Sequence, residues 1–197
     1  EDFKPGDRIQ ALCTELDGKE TVCDDEVLLM SMMIFDGCCS TPGRLGFTNV
    51  DELAVKATYK AIENLGGEVK HYSSQHEAQH IIKGGKDSPI HKILERHSLI
   101  GHKSYTKRIP PDVLSASLHQ KYIFIGMMIA TDGSIKRDGQ ITVGLANELL
   151  AKDVQFLLSS VGIPANVNFY TNTKAGVWVV SISRNYARIL YPHINLY

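Results

Sequence analysis

Residues 28 to 66 of this 197-residue chain are repeated 96 positions later. The segment 28–37 aligns without a gap on 124–133, and both are apolar stretches that end in Asp-Gly. The same offset places Asp51 on Asn147. A shared register across several elements indicates an internal duplication. Two copies are too few for a solenoid, so we expect two halves related by a pseudo-twofold axis, as in a homodimer.

Each copy carries the same pattern of predicted elements. The apolar segments 26–36 and 119–132 have the length and composition of helices, and because they are apolar on every side we expect them to pack against each other. A hairpin and a capped amphipathic helix follow in each copy. The second copy closes with two strands and a helix from about Asn185, whereas the first carries a longer polar insert at 73–106. We predict an α+β fold of two αββαββα repeats, with the paired helices under saddle-shaped antiparallel sheets.

The charge distribution divides the chain into parts. Residues 1–26 hold nine acidic and three basic side chains, a net charge of −6, which leaves +5 on residues 27–197. We therefore predict an acidic N-terminal extension at 1–26, a first repeat at 27–115 and a second repeat at 116–197. The basic bias of the repeats can supply the salt-dependent part of DNA affinity, although a solvated charged face explains it equally well.

Composition excludes some classes of protein. The sequence contains no run of about 18 apolar residues and no signal peptide pattern, so we expect a soluble intracellular protein without a membrane partner. Four cysteines, two of them adjacent, lack disulfide-scaffold density and paired CxxC spacing. They are interpreted as reduced packing thiols.

The repeated Asp-Gly ends suggest a metal site. Two helices packed side by side would bring Asp36 and Asp132 together, where the negative helix ends and the like charges both disfavour bare carboxylates. A divalent cation relieves that repulsion, and oxygen ligands select a hard ion such as Mg²⁺. Such an ion can activate water and stabilise the leaving oxygen of a phosphodiester.

A competing signal is the HExxH pattern of His76, Glu77 and His80. On a helix it would place two zinc ligands on one face with a glutamate base beside them, as in a metalloprotease. The flanking serines and glycines leave room for at most two helical turns, and no third ligand is marked. An incidental surface histidine cluster is the alternative.

The segment Ile125-Gly-Met-Met-Ile-Ala-Thr-Asp-Gly-Ser134 resembles the signature helix of the LAGLIDADG homing endonucleases, and 29–37 resembles its degenerate partner copy. Lys107-Arg-Ile-Pro110 is similar to the Lys-x-Ile-Pro block of the intein-encoded members. The resemblance covers nearly all of residues 27–197, although Met and Ser replace small residues expected at the helix interface. It implies a monomeric, Mg²⁺-dependent endonuclease that cuts both strands of a long asymmetric DNA site and leaves short 3′ overhangs.

The resemblance also assigns roles to residues. Asp36 and Asp132 would be catalytic metal ligands together with the main-chain carbonyls of Phe35 and Thr131, and Lys107 would organise the attacking water or stabilise developing charge. Candidate DNA contacts on the hairpin faces and nearby strands are Arg44, Lys136, Arg137, Gln140, Thr142, Arg184 and Lys70. Of these, Lys70 is expected to touch phosphate, and Arg184 enters from an alignment that places it opposite Arg108.

Two alternatives remain open at the level of function and origin. The same fold serves RNA splicing factors and a transcription regulator, so binding to DNA or RNA without cleavage is the second hypothesis. The segment 3–9 resembles a strand of intein splicing domains, and Asp17-Gly18 resembles the turn of a leftover hairpin. The chain is therefore interpreted as the endonuclease region of an intein flanked by a splicing domain, with an intron-encoded or freestanding enzyme as the alternative.

Overall fold

The computed structural model of the protein describes residues 14–71, 79–171 and 176–194. The first repeat comprises α1 (Asp24–Phe35), β1 (Gly37–Thr41), β2 (Arg44–Thr48), α2 (Glu52–Asn64), β3 (Val69–His71), β4 (Gln79–Ile82) and α3 (Pro89–Arg96). A short helix, α4 (Pro111–Leu114), leads into the second repeat. That repeat comprises α5 (Leu118–Asp132), β5 (Gly133–Ile135), β6 (Ile141–Leu145), α6 (Glu148–Ser159), β7 (Ala165–Tyr170), β8 (Val177–Ile182) and α7 (Arg184–Leu190). The predicted α+β class and the αββαββα order are confirmed in both halves.

Helices α1 and α5 form the centre of the molecule. Residues 27–34 of α1 and 124–129 of α5 are buried without interruption, as expected of helices that are apolar all round. The Ser31 hydroxyl crosses the interface and donates a hydrogen bond of 2.8 Å to the carbonyl oxygen of Phe124. The rings of Phe35 and Phe124 meet edge to face at 5.9 Å. Within the described ranges, no helix combines the length and apolar content needed to cross a membrane.

Two antiparallel sheets of the same topology cover the helix pair. Their strand orders are β1-β2-β4-β3 and β5-β6-β8-β7. Alternate residues point to opposite faces of each sheet, so one face is apolar and the other is open. On the apolar face of the second sheet Ile141, Val143 and Val180 are at most 1% exposed. This alternation fixes which side chains are available on the outer faces.

The helices α2 and α6 begin at the predicted caps. The Asp51 side chain accepts hydrogen bonds from the amides of Leu53 and Ala54, and Asn147 accepts bonds from the two corresponding amides of α6. Each helix is followed by a glycine with positive φ, Gly66 at 75° and Gly162 at 77°, as helix termination commonly requires. These matched caps preserve the register of the two repeats.

The prediction that 73–106 is a polar insert is wrong in part. Residues 79–82 form β4 and 89–96 form α3, the counterparts of β8 and α7. Helices α3 and α7 both begin after a serine N-cap, Ser88 or Ser183, which identifies α3 as the last helix of the first repeat. The short helix α4 therefore lies between the two repeats. The alignment that placed Arg184 opposite Arg108 is therefore wrong, and Arg184 instead corresponds to Pro89.

The N-terminal segment docks on the second repeat. The amide of Leu16 donates to the carbonyl oxygen of Ser160 at 2.8 Å, and Lys121 Nζ donates to the carbonyl oxygen of Leu16 at 2.6 Å. Asp17 accepts a bond from the amide of Leu118. Helix α1 begins at Asp24, so the predicted boundary after residue 26 falls inside that helix.

The expected intein hairpin at Asp17-Gly18 is not formed within residues 14–23. In that segment Glu15 forms an isolated antiparallel bridge with Val161 of the second repeat. Residues 3–9, which carry the resemblance to a splicing-domain strand, lie outside the described residues.

Candidate active site between the two central helices

Asp36 stands at the C-terminal end of α1 and is partly buried. Its Oδ2 accepts a hydrogen bond of 2.6 Å from Asn49 Nδ2. Burial raises the pKa of Asp36, while the Asn49 hydrogen bond and the charge of Lys107 oppose that rise. The first repeat therefore surrounds its carboxylate with a neutral donor and a nearby cation.

Asp132 is the last residue of α5 and is in a less favourable environment. Burial raises its pKa to about 7, and the negative charge of Asp36 contributes to the rise, while the charge of Lys107 opposes it. The charge of one carboxylate acts on the other because both stand at the C-terminal ends of the packed helices α1 and α5. A pair of partly buried, mutually repelling carboxylates favours a bound cation.

A glycine follows each aspartate because the chain turns tightly against the helix it has just left. A Cβ on Gly37 would lie 2.4 Å from the Cα of Met33, and a Cβ on Gly133 would lie 2.3 Å from the carbonyl oxygen of Ile129. Both distances are shorter than side chains tolerate. The Asp-Gly pairs are thus explained by geometry as well as by chemistry.

Lys107 lies beside the end of α1, with 4% of its surface exposed. Its Nζ donates to the carbonyl oxygens of Met33, Ile34 and Gly37 at 2.7, 2.9 and 2.7 Å. These bonds satisfy carbonyls that a helix end leaves without amide partners. Burial lowers the pKa of Lys107, and the negative charges of Asp132 and Asp36 are among those that oppose the shift. The ammonium group therefore caps the C-terminal end of α1, a role that the sequence did not predict.

The chain around Lys107 is tied to the second repeat. Arg108 Nη2 donates to Asp153 Oδ1 at 2.6 Å, and Asp153 Oδ2 accepts a bond from the amide of Ile109 at 3.1 Å. Asn147 Nδ2 donates to the carbonyl oxygen of Lys107 at 2.7 Å. Lys107 reaches α1 from a connecting segment that Asn147 and Asp153 hold at α6, so both repeats contribute to its position.

The available oxygen atoms fit a hard divalent cation. Phe35 and Thr131 each precede the aspartate, in the last turns of their helices, where carbonyl oxygens can face a ligand. Within the described residues, no cluster of three histidine, cysteine or acidic side chains could hold a metal ion. Carboxylate pairs completed by main-chain oxygen and water are the kind of site that Mg²⁺ accepts.

The zinc-site interpretation of the HExxH pattern is not supported by His80, the one proposed ligand that lies in the described residues. His80 lies in strand β4, not in a helix, and is 5% exposed. Its Nδ1 is 2.9 Å from the Tyr59 hydroxyl and its Nε2 is 3.1 Å from the carbonyl oxygen of Asn49. With both ring nitrogens engaged, His80 is a core residue stacked on Phe47. His76 and Glu77 lie outside the described residues.

The cysteines of the described ranges are free thiols, and one of them belongs to the active-site wall. Cys39 is 1% exposed, and burial raises its pKa to about 11. A thiol with that pKa is protonated at neutral pH and unreactive. It packs as the composition predicted.

The predicted DNA contacts fall into two groups. Arg44, Thr142 and Lys70 lie on the outer faces of the sheets by strand register. Lys136, Arg137 and Gln140 surround the β5–β6 turn, where Lys136 Nζ donates to Gln140 Oε1 at 2.6 Å. The stem of Arg184 packs beside Gly139 of the same turn.

Asn49 is the site residue that sequence reasoning missed. The duplication should have been the signal, but position 145, its counterpart 96 residues later, is a leucine buried in the core. Asn49 also has no pattern of its own, because it lies in the short link between β2 and α2.

Paired carboxylates at the ends of two packed central helices, under two similar sheets, are the arrangement that the resemblance to LAGLIDADG proteins predicted. Comparison with known proteins agrees: residues 120–195 match the family profile described as a LAGLIDADG-like domain. The resemblance drawn from the sequence is thereby confirmed.

Two solved structures share the fold across nearly the whole chain. The complex of I-DmoI with DNA and Mn superposes with a TM-score of 0.61 at 14% identity, covering 87% of this chain and 96% of that chain. The N-terminal LAGLIDADG domain of WhiA gives a TM-score of 0.58 at 11% identity, covering 89% of this chain and 86% of that chain. At these identities the likeness establishes the fold alone.

Curated relatives include replicative DNA helicases DnaB. The protein of Synechocystis sp. is 29% identical over 164 residues, which is 76% of this chain and 19% of the helicase. The protein of Rhodothermus marinus is 26% identical over 171 residues, which is 79% of this chain and 18% of the helicase. This chain thus spans about a fifth of the length of these relatives.

Proposed function

We propose that this protein is a site-specific DNA endonuclease that hydrolyses both strands of a long asymmetric target with the help of a divalent cation. The observation that carries the proposal is the pair Asp36 and Asp132 at the ends of the two central helices. A protein that only binds nucleic acid needs neither acid, and burying both raises their pKa values at a cost in stability.

Each side chain has a defined task in this proposal. Asp36 and Asp132, with the carbonyl oxygens of Phe35 and Thr131, would hold the cation. A bound Mg²⁺ supplies Lewis-acid activation of the scissile phosphate and of a water nucleophile. Asn49 fixes the orientation of the Asp36 carboxylate. Lys107 holds the end of α1 and places a positive charge beside both acids.

One chain provides both halves of the site, so the active species is a pseudo-symmetric monomer. A single pair of aspartates serving two strands predicts a double-strand break with short 3′ overhangs. Several solved I-DmoI structures contain target DNA together with Mg or Mn, which supports double-stranded DNA as partner and a divalent cation as cofactor here.

We further propose that the chain is the endonuclease region of an intein. The matches to replicative helicases support this origin, because each covers only about a fifth of the helicase. A LAGLIDADG-type segment of that size inside a helicase is what an intein insertion would leave. A flanking splicing domain would then be its partner in the same polypeptide.

The test is cleavage of a genomic or randomised DNA pool with Mg²⁺, with all new ends sequenced. Wild type should yield ends clustered at one long, imperfectly palindromic site. Asp36→Asn and Asp132→Asn should each lower the rate at least about 1000-fold, because each removes a cation ligand. Asp87→Asn, at an exposed acid of the turn before α3, is the matched control and should cut like wild type.

Specific retention of DNA by the wild type without any new ends would instead identify a binding protein and overturn the catalytic roles of both aspartates. Equal cleavage by wild type and both aspartate variants would point to a contaminating nuclease and have the same consequence.

A further inference from the structure

The outer faces of the two sheets can be compared row by row, because strand pairing fixes which residues lie side by side. In the first sheet Cys38 pairs with Gly46, Gly46 with Ile81 and Ile81 with Lys70. Leu45 and Ile82 are the strand neighbours of Gly46 and Ile81, so they point to the opposite face, and both are buried in the core. The row therefore lies on the face that points away from the helices.

The second sheet has the equivalent row. Ser134 pairs with Thr142, Thr142 with Ser181 and Ser181 with Asn166. Three of its four members lie 96 positions after their counterparts, including Asn166 after Lys70. Both of these end residues are exposed on an edge strand, β3 or β7. Lys70 and Asn166 thus occupy the same place in the two repeats.

A second pair of matched positions is Arg44 in the first repeat and Gln140 in the second. Arg44 begins β2 two residues before Gly46, and Gln140 immediately precedes β6, two residues before Thr142. The step is about 7 Å, close to the rise of two base pairs. Measured across the sheet, Lys70 in β3 lies two strands from β2 and Asn166 in β7 lies two strands from β6, a lateral distance of about 10 Å. Each half therefore presents two polar side chains in the same arrangement.

At both matched positions the side chain changes from a cation in the first repeat to a carboxamide in the second. The first repeat has arginine and lysine, which donate to the O6 and N7 acceptors of guanine, whereas the second has glutamine and asparagine, which pair with the N6 and N7 atoms of adenine. On the second sheet the remaining outer residues of β6, β7 and β8 are uncharged, among them Asn168, Val177 and Val179. Valine methyl groups suit the thymine methyl group.

Gln140 can make this contact although its Oε1 already accepts a bond from Lys136. A carboxamide oxygen has two lone pairs, and Nε2 stays available as the donor. The contact in the free protein holds the amide in one orientation on an exposed turn.

We infer that the target is read asymmetrically: at the two matched positions the half-site under the first sheet carries guanine, read by Arg44 and Lys70, and the half-site under the second carries adenine, read by Gln140 and Asn166. The inference rests on the proposed function, since it concerns the DNA that the same molecule would cut. It replaces the expectation that Lys70 touches phosphate.

The experiment is a binding selection from random duplex DNA without divalent cation, in which the bound pool is sequenced for the full chain and for reciprocal exchanges. Asn166→Lys and Gln140→Arg should each change one adenine of the second half-site to guanine. Lys70→Asn and Arg44→Gln should do the reverse in the first half-site. Each change in base preference should be about 5- to 100-fold.

A matched control separates base reading from charge. Lys60→Asn makes the same exchange at an exposed position of α2 and should leave the selected sequence unchanged. If Lys70→Asn weakens all sequences equally and keeps the first half-site intact, Lys70 contacts phosphate and the inference fails while DNA binding stands. If no sequence is enriched by the wild type, the proposed function fails as well.

Discussion

The two halves of the active site share the same backbone arrangement and differ in the side chains that surround the two aspartates. Both end a buried helix in Asp-Gly, but Asp36 accepts a hydrogen bond from Asn49, whereas within the described residues no side chain donates a hydrogen bond to Asp132. Lys107 caps α1 from outside, while Thr131 bonds back to carbonyl oxygens of its own helix, α5. Duplication preserved the residues that geometry demands and left the surrounding donors free to diverge. The two carboxylates are consequently unequal before any ligand binds.

The sharpest test of this asymmetry is the buried lysine. Lys107→Met should lower the free energy of unfolding by about 2–4 kcal/mol, because it removes the ammonium donor from the carbonyl oxygens of Met33, Ile34 and Gly37. Chemical denaturation measures the effect. Lys60→Met, at an exposed lysine of α2, should change stability by less than about 0.5 kcal/mol.

A purely catalytic Lys107 would give a different result. The variant would then lose cleavage at unchanged stability, and the cap would have no energetic role. Loss of both together would agree with a residue that holds α1 so that Asp36 is correctly placed.

The second test concerns Asn49, whose counterpart in the second repeat is a leucine whose side chain cannot donate a hydrogen bond. Asn49→Leu gives the first repeat the residue found at position 145 and should lower cation affinity and the cleavage rate about 10- to 100-fold, since partners of a ligating carboxylate have effects of that size. Calorimetric titration with Mg²⁺ and a cleavage assay measure the two quantities. Asn64→Leu, at an exposed residue of α2 that bonds to Asp25, is the control.

If Asn49→Leu binds the cation and cuts DNA as the wild type does, the hydrogen bond to Asp36 is incidental and the two halves are functionally equivalent. That outcome would remove the reason to treat the first repeat as the better supported side.

Much of this architecture was accessible from the sequence because it is written in periodic or repeated signals. The helix caps Asp51 and Asn147 and the paired Asp-Gly ends were predicted correctly, since apolar runs, caps and a 96-residue offset are local features. The insert at 73–106 was misread because β4 and α3 are short and their polar flanks hide the pattern of the second copy.

The long-range contacts were beyond the sequence for a different reason. The bond from Lys107 to Gly37 joins residues 70 positions apart, and the bond from Arg108 to Asp153 joins residues 45 positions apart. Nothing local distinguishes a lysine that will cap a distant helix from one that will remain in solvent. Only packing decides which.

The most direct measure of the inequality is the pH dependence of stability in the metal-free protein. In an unfolded chain an Asp carboxyl has a pKa near 3.9, whereas the fold raises the pKa of Asp132 to about 7. Between these values the folded state binds more protons than the unfolded state, so this group makes stability fall as the pH rises from about 4 to about 7. Above pH 7 the full penalty is present.

Asp132→Asn removes that penalty and should stabilise the metal-free protein by up to about 4 kcal/mol at pH 8 and by almost nothing at pH 4. Denaturation in the presence of a chelator at both pH values measures the difference. Asp36→Asn should gain less, because the Asn49 hydrogen bond already favours the charged form of Asp36, whereas the charge of Lys107 acts on both carboxylates. Adding Mg²⁺ should stabilise the wild type and leave Asp132→Asn unchanged, since only an intact pair of carboxylates gains from the cation. An equal gain from the two variants would mean that the supporting residues around Asp36 do not make the two carboxylates unequal.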